Sequence, residues 1–411
     1  MGDPQTSYPV VHVTGTNGKG STVRMTTALL LAKGLTVGTY TSPHLERLNE
    51  RLAWDGEAIE DEAFGEVLLA LRDLEPFVIA EGGPLGDAFG EAPTWFELLT
   101  AAAYRWFADV AVDAAVVEVG LGGRYDATNV ADAAVAVVTN VDLDHVDILG
   151  STRAEIAAEK AGIIKAGSAV VLGEDDPSLV GIFEAEAERV GAAAVWRRHE
   201  DFGCEVNRLA IGGRLLDLRT PGARYEDVFV PLHGAHQGDN AAAALAAAEA
   251  FFGEPLREEV VAEGLAATTV PGRMEVVARR PLVVLDGAHN PAGARAAGVT
   301  LAEDFALSNR VIVVMGCLRG RDPLEMLQGL GPERIDHLIA CPAPSPRGLP
   351  VEAVAEAARS LGLAAEEAAS VASALETARR LAAPTDLVLV TGSLYVVGAA
   401  RAVLRGGPAI A

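Results

Sequence analysis

The stretch Val10–Thr22, VVHVTGTNGKGST, restricts what this chain can become more than any other part of it. A buried-type apolar run enters a turn with glycines at 15, 18 and 20, and a helix-compatible segment follows. Glycines there leave backbone N–H groups free to surround phosphate oxygens at a helix N-terminus. Lys19 can reach the outer phosphates and the Ser21 hydroxyl a magnesium ion. The match to GxxxxGK[ST] departs at two points: Val13 stands where the first glycine belongs, and Gly20 precedes Ser21.

A strand feeding such a turn and helix belongs to a parallel α/β sheet, and the rest of the chain repeats that alternation. Strands are predicted at Val10–Val13, Thr36–Tyr40, Ala114–Val119, Ala133–Thr139 and Ala169–Leu172, with a helix over Ser21–Lys33 stopped by Gly34. Residues 203–231 change to short alternating runs with Gly-Gly and Pro-Gly punctuation, which predicts a small antiparallel sheet. A long Ala-rich helix at about 238–252 precedes a Pro-Gly break in TTVPGRMEV, 268–276. A second series then places strands at Leu282–Leu285, Val311–Met315, His337–Ala340 and Leu387–Val390. The expected division is residues 1–270 and 271–411.

Composition narrows the partners. With 33 Lys+Arg against 57 Asp+Glu, the net charge of −24 repels nucleic acid and anionic membrane surfaces. Cys204, Cys317 and Cys341 form no paired spacing, and the opening MGDPQTSYPV has neither the basic nor the apolar stretch of an export signal. A cytoplasmic location is expected. Only four of the basic residues are lysines, namely 19, 33, 160 and 165.

Chemistry-bearing residues gather at predicted strand ends, where open parallel sheets form their ligand crevice. Glu118 ends one strand, and Asp142, Asp144 and His145 follow another. Glu118 and His145 either ligate a hard cation bridging phosphates or are a solvent-facing carboxylate and a loop residue. Lys160 lies in a helix opened by the capping box Thr152/Glu155. In a chain that otherwise uses Arg, it is either a surface lysine beside Glu159 or an amine able to react with carbon dioxide to give an anionic carbamate. Asp286 either holds a ribose hydroxyl or caps a turn. Arg273 either stabilises a transferring phosphoryl group or is a linker arginine. Thr391-Gly392-Ser393 offers hydroxyls or merely turns the chain. Gly120-Leu-Gly-Gly123 fails as a dinucleotide fingerprint, because its sixth position is Tyr125.

Taken together these residues resemble the bacterial dihydrofolate synthase/folylpolyglutamate synthases of the Mur ligase superfamily. The matching strings are GTNGKGS (15–21), TSPHL with NER (41–45, 49–51), TWFELLTAAA (94–103), EVGLGGRYDATN (118–129), LDHVDILG (143–150), EKAGIIK (159–165), HQGDN (236–240), PGRME (271–275), DGAHNP (286–291) and TGSLYVVG (391–398). The resemblance implies an N-terminal P-loop ATPase domain with a mostly parallel and a small antiparallel sheet, a smaller C-terminal Rossmann-like α/β domain, and an active site between them. It implies that Asn17, Gly18, Lys19, Gly20 and Ser21 hold ATP, completed by Asn240, Arg273 and Asp286. Ser42, Glu118, His145 and a carbamylated Lys160 are implied as ligands of two magnesium ions, and Lys19, Lys160, Arg273 and His145 as catalytic. Thr94, Trp95, Phe96 and Glu97 with Tyr125, Asp126 and Ala127 are implied to meet the pterin of the acceptor, and His289 and Ser393 to bind substrate as well.

The implied reaction joins L-glutamate to dihydropteroate or a folate through an acyl phosphate, in a monomer with small-molecule partners only. Arg47, Arg51, Arg124, Arg273 and Arg321 are expected to supply positive charge for anionic substrates. Two other readings are a superfamily ligase with a different carboxylic-acid acceptor, suggested by the short segment before Val10 and by Tyr125 in place of the family's leucine, and a catalytically inactive nucleotide-binding regulator. Gly320-Arg321-Asp322 replaces the family's usual Asp-Lys-Asp.

Overall fold

The computed structural model describes residues 1–74 and 93–406. The chain folds as two compact units: Met1–Val206 with Asp217–Val228 and Asp239–Thr268, and Asn207–Leu216 with Phe229–Gly238 and Thr269–Ala411.

The first unit is built on an eight-stranded sheet. Its strands are β1 (Val10–Thr14), β2 (Val37–Tyr40), β3 (Leu52–Trp54), β4 (Glu57–Ala58), β5 (Ala114–Glu118), β6 (Val135–Val138), β7 (Ala169–Leu172) and β8 (Ala194–Arg197), in the order β4-β3-β2-β5-β1-β6-β7-β8. β3 and β4 are antiparallel additions at one edge, and the remaining pairs are parallel. Val and Ala dominate β1, β5, β6 and β7 because helices cover both faces of a parallel sheet and leave no polar side. One face packs Tyr40, Leu99 and Phe107 into a core, and the other packs Val138, Ile156 and Phe183.

Register decides the site. β1 lies between β5 and β6, with Val13 beside Glu118 and Thr14 beside Val138. The turn that leaves β1 is therefore flanked by Glu118 on one side and by Thr139 and Asn140 on the other.

The strands β9 (Gly203–Ala210), β10 (Gly213–Arg219) and β11 (Arg224–Val230) form the expected small sheet, and the two-residue link between β9 and β10 is short enough only for antiparallel neighbours. In the second unit, β12 (Glu275–Arg279), β13 (Leu282–Leu285), β14 (Val311–Met315), β15 (His337–Ala340), β16 (Ala365–Glu367) and β17 (Leu387–Thr391) run in the order β12-β13-β17-β14-β15-β16, parallel except for β12. Segments 207–216 and 229–238 belong to this unit for an electrostatic reason. The fully buried Asp304 carboxylate accepts from the Gly234 N–H at 3.1 Å and pairs with His233 at 3.2 Å and with Arg214.

The strands that sequence reasoning passed over, β3, β4, β8, β12 and β16, are mostly short and at sheet edges, where half-exposed mixed residues blur the apolar pattern. The first helix starts at Lys19, two residues earlier than expected, because Gly18 supplies the left-handed residue that precedes it.

Candidate active site

The turn after β1 is shaped by what a side chain could not fit. Gly18 has φ of +84°, and a Cβ there would lie 2.4 Å from Asn240 Oδ1. A Cβ on Gly15 would lie 1.8 Å from Thr139 Oγ1. The Lys19 ammonium curls back over the loop, donating to the carbonyls of Gly15 at 2.8 Å and Thr16 at 3.2 Å. No side chain caps the helix Lys19–Ala32, so its first amides face outward as anion donors.

Residues that sequence reasoning did not single out hold this loop in place. Asn140 accepts the Asn17 N–H at 3.0 Å and donates to the Asn17 carbonyl at 3.1 Å, while Thr139 donates to the same carbonyl at 2.6 Å. Thr139 and Asn140 follow an apolar run directly, so the strand-end rule already applied to Glu118 would have found them.

Glu118 ends β5 at 5 % exposure, which removes the solvent-facing reading. Its Oε2 accepts the Ser42 N–H at 3.1 Å, and its carboxylate oxygens lie 3.6 and 3.8 Å from where a Cβ on Gly20 would stand. Ser21, Ser42 and Glu118 therefore gather oxygen donors around the loop. His145 takes a left-handed conformation before the short helix Val146–Leu149, leaving its ring 44 % exposed and its Nε2 3.9 Å from Asp144 Oδ1.

Lys160 is 3 % exposed and not a surface lysine. Burial, reinforced by the Lys19 charge, pushes its amine down to about 7, while Asp144, Glu159 and Asp126 pull the other way. It is buried because the Gly120–Gly123 loop sits on its helix: a Cβ on Gly123 would lie 2.9 Å from the carbonyls of both Glu159 and Lys160. The glycines rejected as a dinucleotide fingerprint thus seat the lysine's helix.

The expected acceptor residues divide into holders and exposed groups. Thr94 and Glu97 form a capping box at the start of helix Trp95–Asp109, and the Phe96 ring covers Gly120. Asp126 is committed to its own loop, accepting from Leu121 N at 2.8 Å and Thr128 N at 3.0 Å, and Ala127 opens the turn Ala127–Val130. Trp95 is open to solvent and Tyr125 is 87 % exposed. Of the arginines expected to draw in anions, Arg47 pairs with Asp61 and Arg124 with Glu186 at 3.0 Å, so their charge is already answered.

In the second unit, Asp286 is buried and accepts from Met274 N and Ala288 N, each at 3.0 Å. Burial raises its carboxyl above the usual range against the pull of Arg273. Asn290, not Asp286, caps the helix that Pro291 opens. A Cβ on Gly287 would lie 2.8 Å from Arg273 Nη1, so the guanidinium rests over that glycine. His289 Nδ1 lies 2.8 Å from the Gly287 carbonyl, which orients its ring. Ser393 caps helix Leu394–Leu404 by accepting the Tyr395 N–H at 3.2 Å.

Among the described residues no group of three or more His, Cys, Asp or Glu is gathered to hold a metal ion. Glu118 offers a carboxylate beside the loop and His145 a half-exposed imidazole beyond β6; carboxylate, hydroxyl and phosphate oxygens are a donor set that suits magnesium.

The Mur ligase middle domain matches residues 98–248, and the Mur ligase glutamate ligase domain matches residues 272–394. A Mycobacterium tuberculosis dihydrofolate synthase/folylpolyglutamate synthase is 40% identical over 440 residues, covering 99% of this chain and 88% of its own. The M. tuberculosis folylpolyglutamate synthase structure complexed with ADP aligns with a TM-score of 0.92 at 39% identity, over 98% of this chain and 92% of that one. A bifunctional folylpolyglutamate synthase/dihydrofolate synthase with Mn, AMPPNP and L-glutamate bound aligns with a TM-score of 0.84 at 32% identity, over 98% and 91%.

Proposed function

This chain belongs to the Mur ligases and, within them, to the dihydrofolate synthase/folylpolyglutamate synthases, and from that premise we propose how its residues carry the reaction. It is an ATP-dependent ligase that joins L-glutamate to dihydropteroate, to folates or to both through an acyl phosphate. The carboxylate of the acceptor attacks the γ-phosphorus and ADP leaves. The glutamate amine then attacks the acyl carbon, and phosphate leaves as the amide forms.

Two anions must meet in the first step, so positive charge and fixed donors lower the barrier. Asn17, Gly18, Lys19, Gly20 and Ser21 hold the triphosphate, with Lys19 turning from the Gly15 and Thr16 carbonyls to the phosphate oxygens. Asn240 abuts Gly18 at the phosphate loop, and Arg273 and Asp286 of the second unit are assigned nucleotide roles as well. Ser42, Glu118, His145 and carbamylated Lys160 would hold magnesium, which when bound neutralises phosphate charge and polarises the γ-phosphoryl group. A buried amine pushed down to about 7 is largely neutral in mildly basic solution, the form that reacts with carbon dioxide. Thr94, Trp95, Phe96 and Glu97 with Tyr125, Asp126 and Ala127 form the acceptor wall, and His289 and Ser393 take the glutamate. On this reading residues 1–270 carry the phosphate loop, and 271–411 carry the amino-acid residues together with Arg273 and Asp286.

The observation that carries this assignment is the gathering of Ser42 and Glu118 beside the Gly18–Ser21 turn, with Lys160 buried and within reach of the Lys19 charge. No described helix is long and apolar enough to cross a membrane, and we place the enzyme in the cytoplasm as a monomer, to be checked by sedimentation. The deciding experiment is phosphate release from Mg-ATP with glutamate and, in turn, dihydropteroate, tetrahydrofolate and its monoglutamate-extended form. Turnover with at least one is expected, and turnover with none removes the folate assignment.

A further inference from the structure

Glu174 lies just beyond β7 at 5 % exposure. Its Oε2 accepts the Val141 N–H at 2.6 Å, and its Oε1 accepts from Asp176 N at 3.0 Å and from Arg153 Nη2 at 3.3 Å. Arg153, first residue of the helix Arg153–Ala161, also donates Nε to the Val141 carbonyl at 3.0 Å and Nη1 to Asp176 at 2.7 Å. One ion pair therefore grips both backbone polar groups of a single residue.

That residue sits at a junction. Before it, Asn140 pins Thr16 and Asn17 of the phosphate loop. After it, the Asp142 N–H reaches Thr16 Oγ1 at 2.9 Å, and the chain runs on to Asp144 and His145. Arg153 itself stands two turns before Lys160 on the same helix.

We infer that Glu174 and Arg153 are positioning residues that fix the Asn140–His145 segment, and through it the phosphate loop, relative to the Lys160 helix. The inference rests on the proposed site. A carboxylate meeting three donors cannot be replaced by an amide without setting an N–H against one of them. The result is a displaced loop in a chain that still folds, and displacements of about 1 Å cost up to roughly 100-fold in rate.

The test uses the full chain with Glu174→Gln, Arg153→Lys and the double variant Arg153→Met/Glu174→Gln. Phosphate release is measured with ATP varied at saturating glutamate and acceptor, then with glutamate varied, alongside ADP affinity by calorimetry and the Tm. Both single variants are expected to lower kcat/KM for ATP roughly 10- to 100-fold and weaken ADP binding, with KM for glutamate within about twofold, and the double variant no worse than the worse single, as befits a unit. Folded variants with kcat/KM for ATP within twofold of the parent overturn the inference. So do equal losses toward ATP and glutamate that track a lowered Tm, which mark a purely structural pair. If Glu174→Gln does not fold, Arg153→Lys decides by the same criteria. Lys19→Met separates the two readings: if it is inactive while the clamp variants are normal, only the positioning role fails, and if it turns over normally, the site reading fails and this one with it.

Discussion

Replacing Lys160 with arginine tests the buried amine directly, because a guanidinium stays charged and forms no carbamate. At pH 8 a lysine with its ordinary value near 10.5 is ~0.3% neutral, whereas one pushed down to about 7 is ~90% neutral, a gain of ~300-fold in the form that captures carbon dioxide. The gain comes first from burial and then from Lys19. In 13C-bicarbonate at pH 8 the parent should show one carbamate carbon resonance that is absent from Lys160→Arg and fades as the pH drops below 7. Lys160→Ala should lose at least about 100-fold in kcat, a loss of about 2.7 kcal/mol in transition-state stabilisation, and should regain part of it with added acetate or formate. A parent without the resonance, or a Lys160→Ala enzyme of unchanged activity, would refute the reasoning.

Gly123→Ala drives a methyl group to 2.9 Å from two carbonyls, so urea unfolding should show a loss of about 1–3 kcal/mol, and full stability would mean the loop is not seated as described. Thr94→Ala removes one half of a capping box and should cost about 1 kcal/mol in the same assay while weakening acceptor binding. His12, buried with Nε2 2.8 Å from Thr128 Oγ1, is pushed down to about 3 by burial and then by Lys165. The unfolded chain therefore takes up this proton first: the contribution to stability is complete above pH 6.5 and is lost as pH falls toward 3, so His12→Gln should flatten the decline in denaturation midpoint between pH 6.5 and 4. Chelation of divalent ions should abolish phosphate release, and added magnesium should restore it; turnover in excess chelator would exclude the Glu118 and His145 ligand roles.

Much of this protein is legible without coordinates because it depends on neighbours in sequence. The apolar runs that become β1, β5, β6, β13 and β17, the capping boxes at Thr94 and Thr152, and the glycine that must precede Lys19 are all set by interactions within a few residues. Chemical type is equally local: a lysine kept in an arginine-using chain, and acids and imidazoles at the ends of apolar runs.

What needed the folded chain is lateral. Strand order placed β1 between β5 and β6, and so brought Glu118 and Asn140 to opposite sides of one turn that is distant from both in the chain. Burial turned Lys160 from a surface lysine into a depressed amine, and hydrogen bonds from Leu121 and Thr128 tied Asp126 to its own loop. Arg47 and Arg124 found carboxylates that no spacing announced. The physical reason is that hydrogen bonds at a helix cap are chosen by three or four adjacent residues, while the partner of a strand end or a buried charge is chosen by how all the strands and helices pack together, a sum that no local window contains.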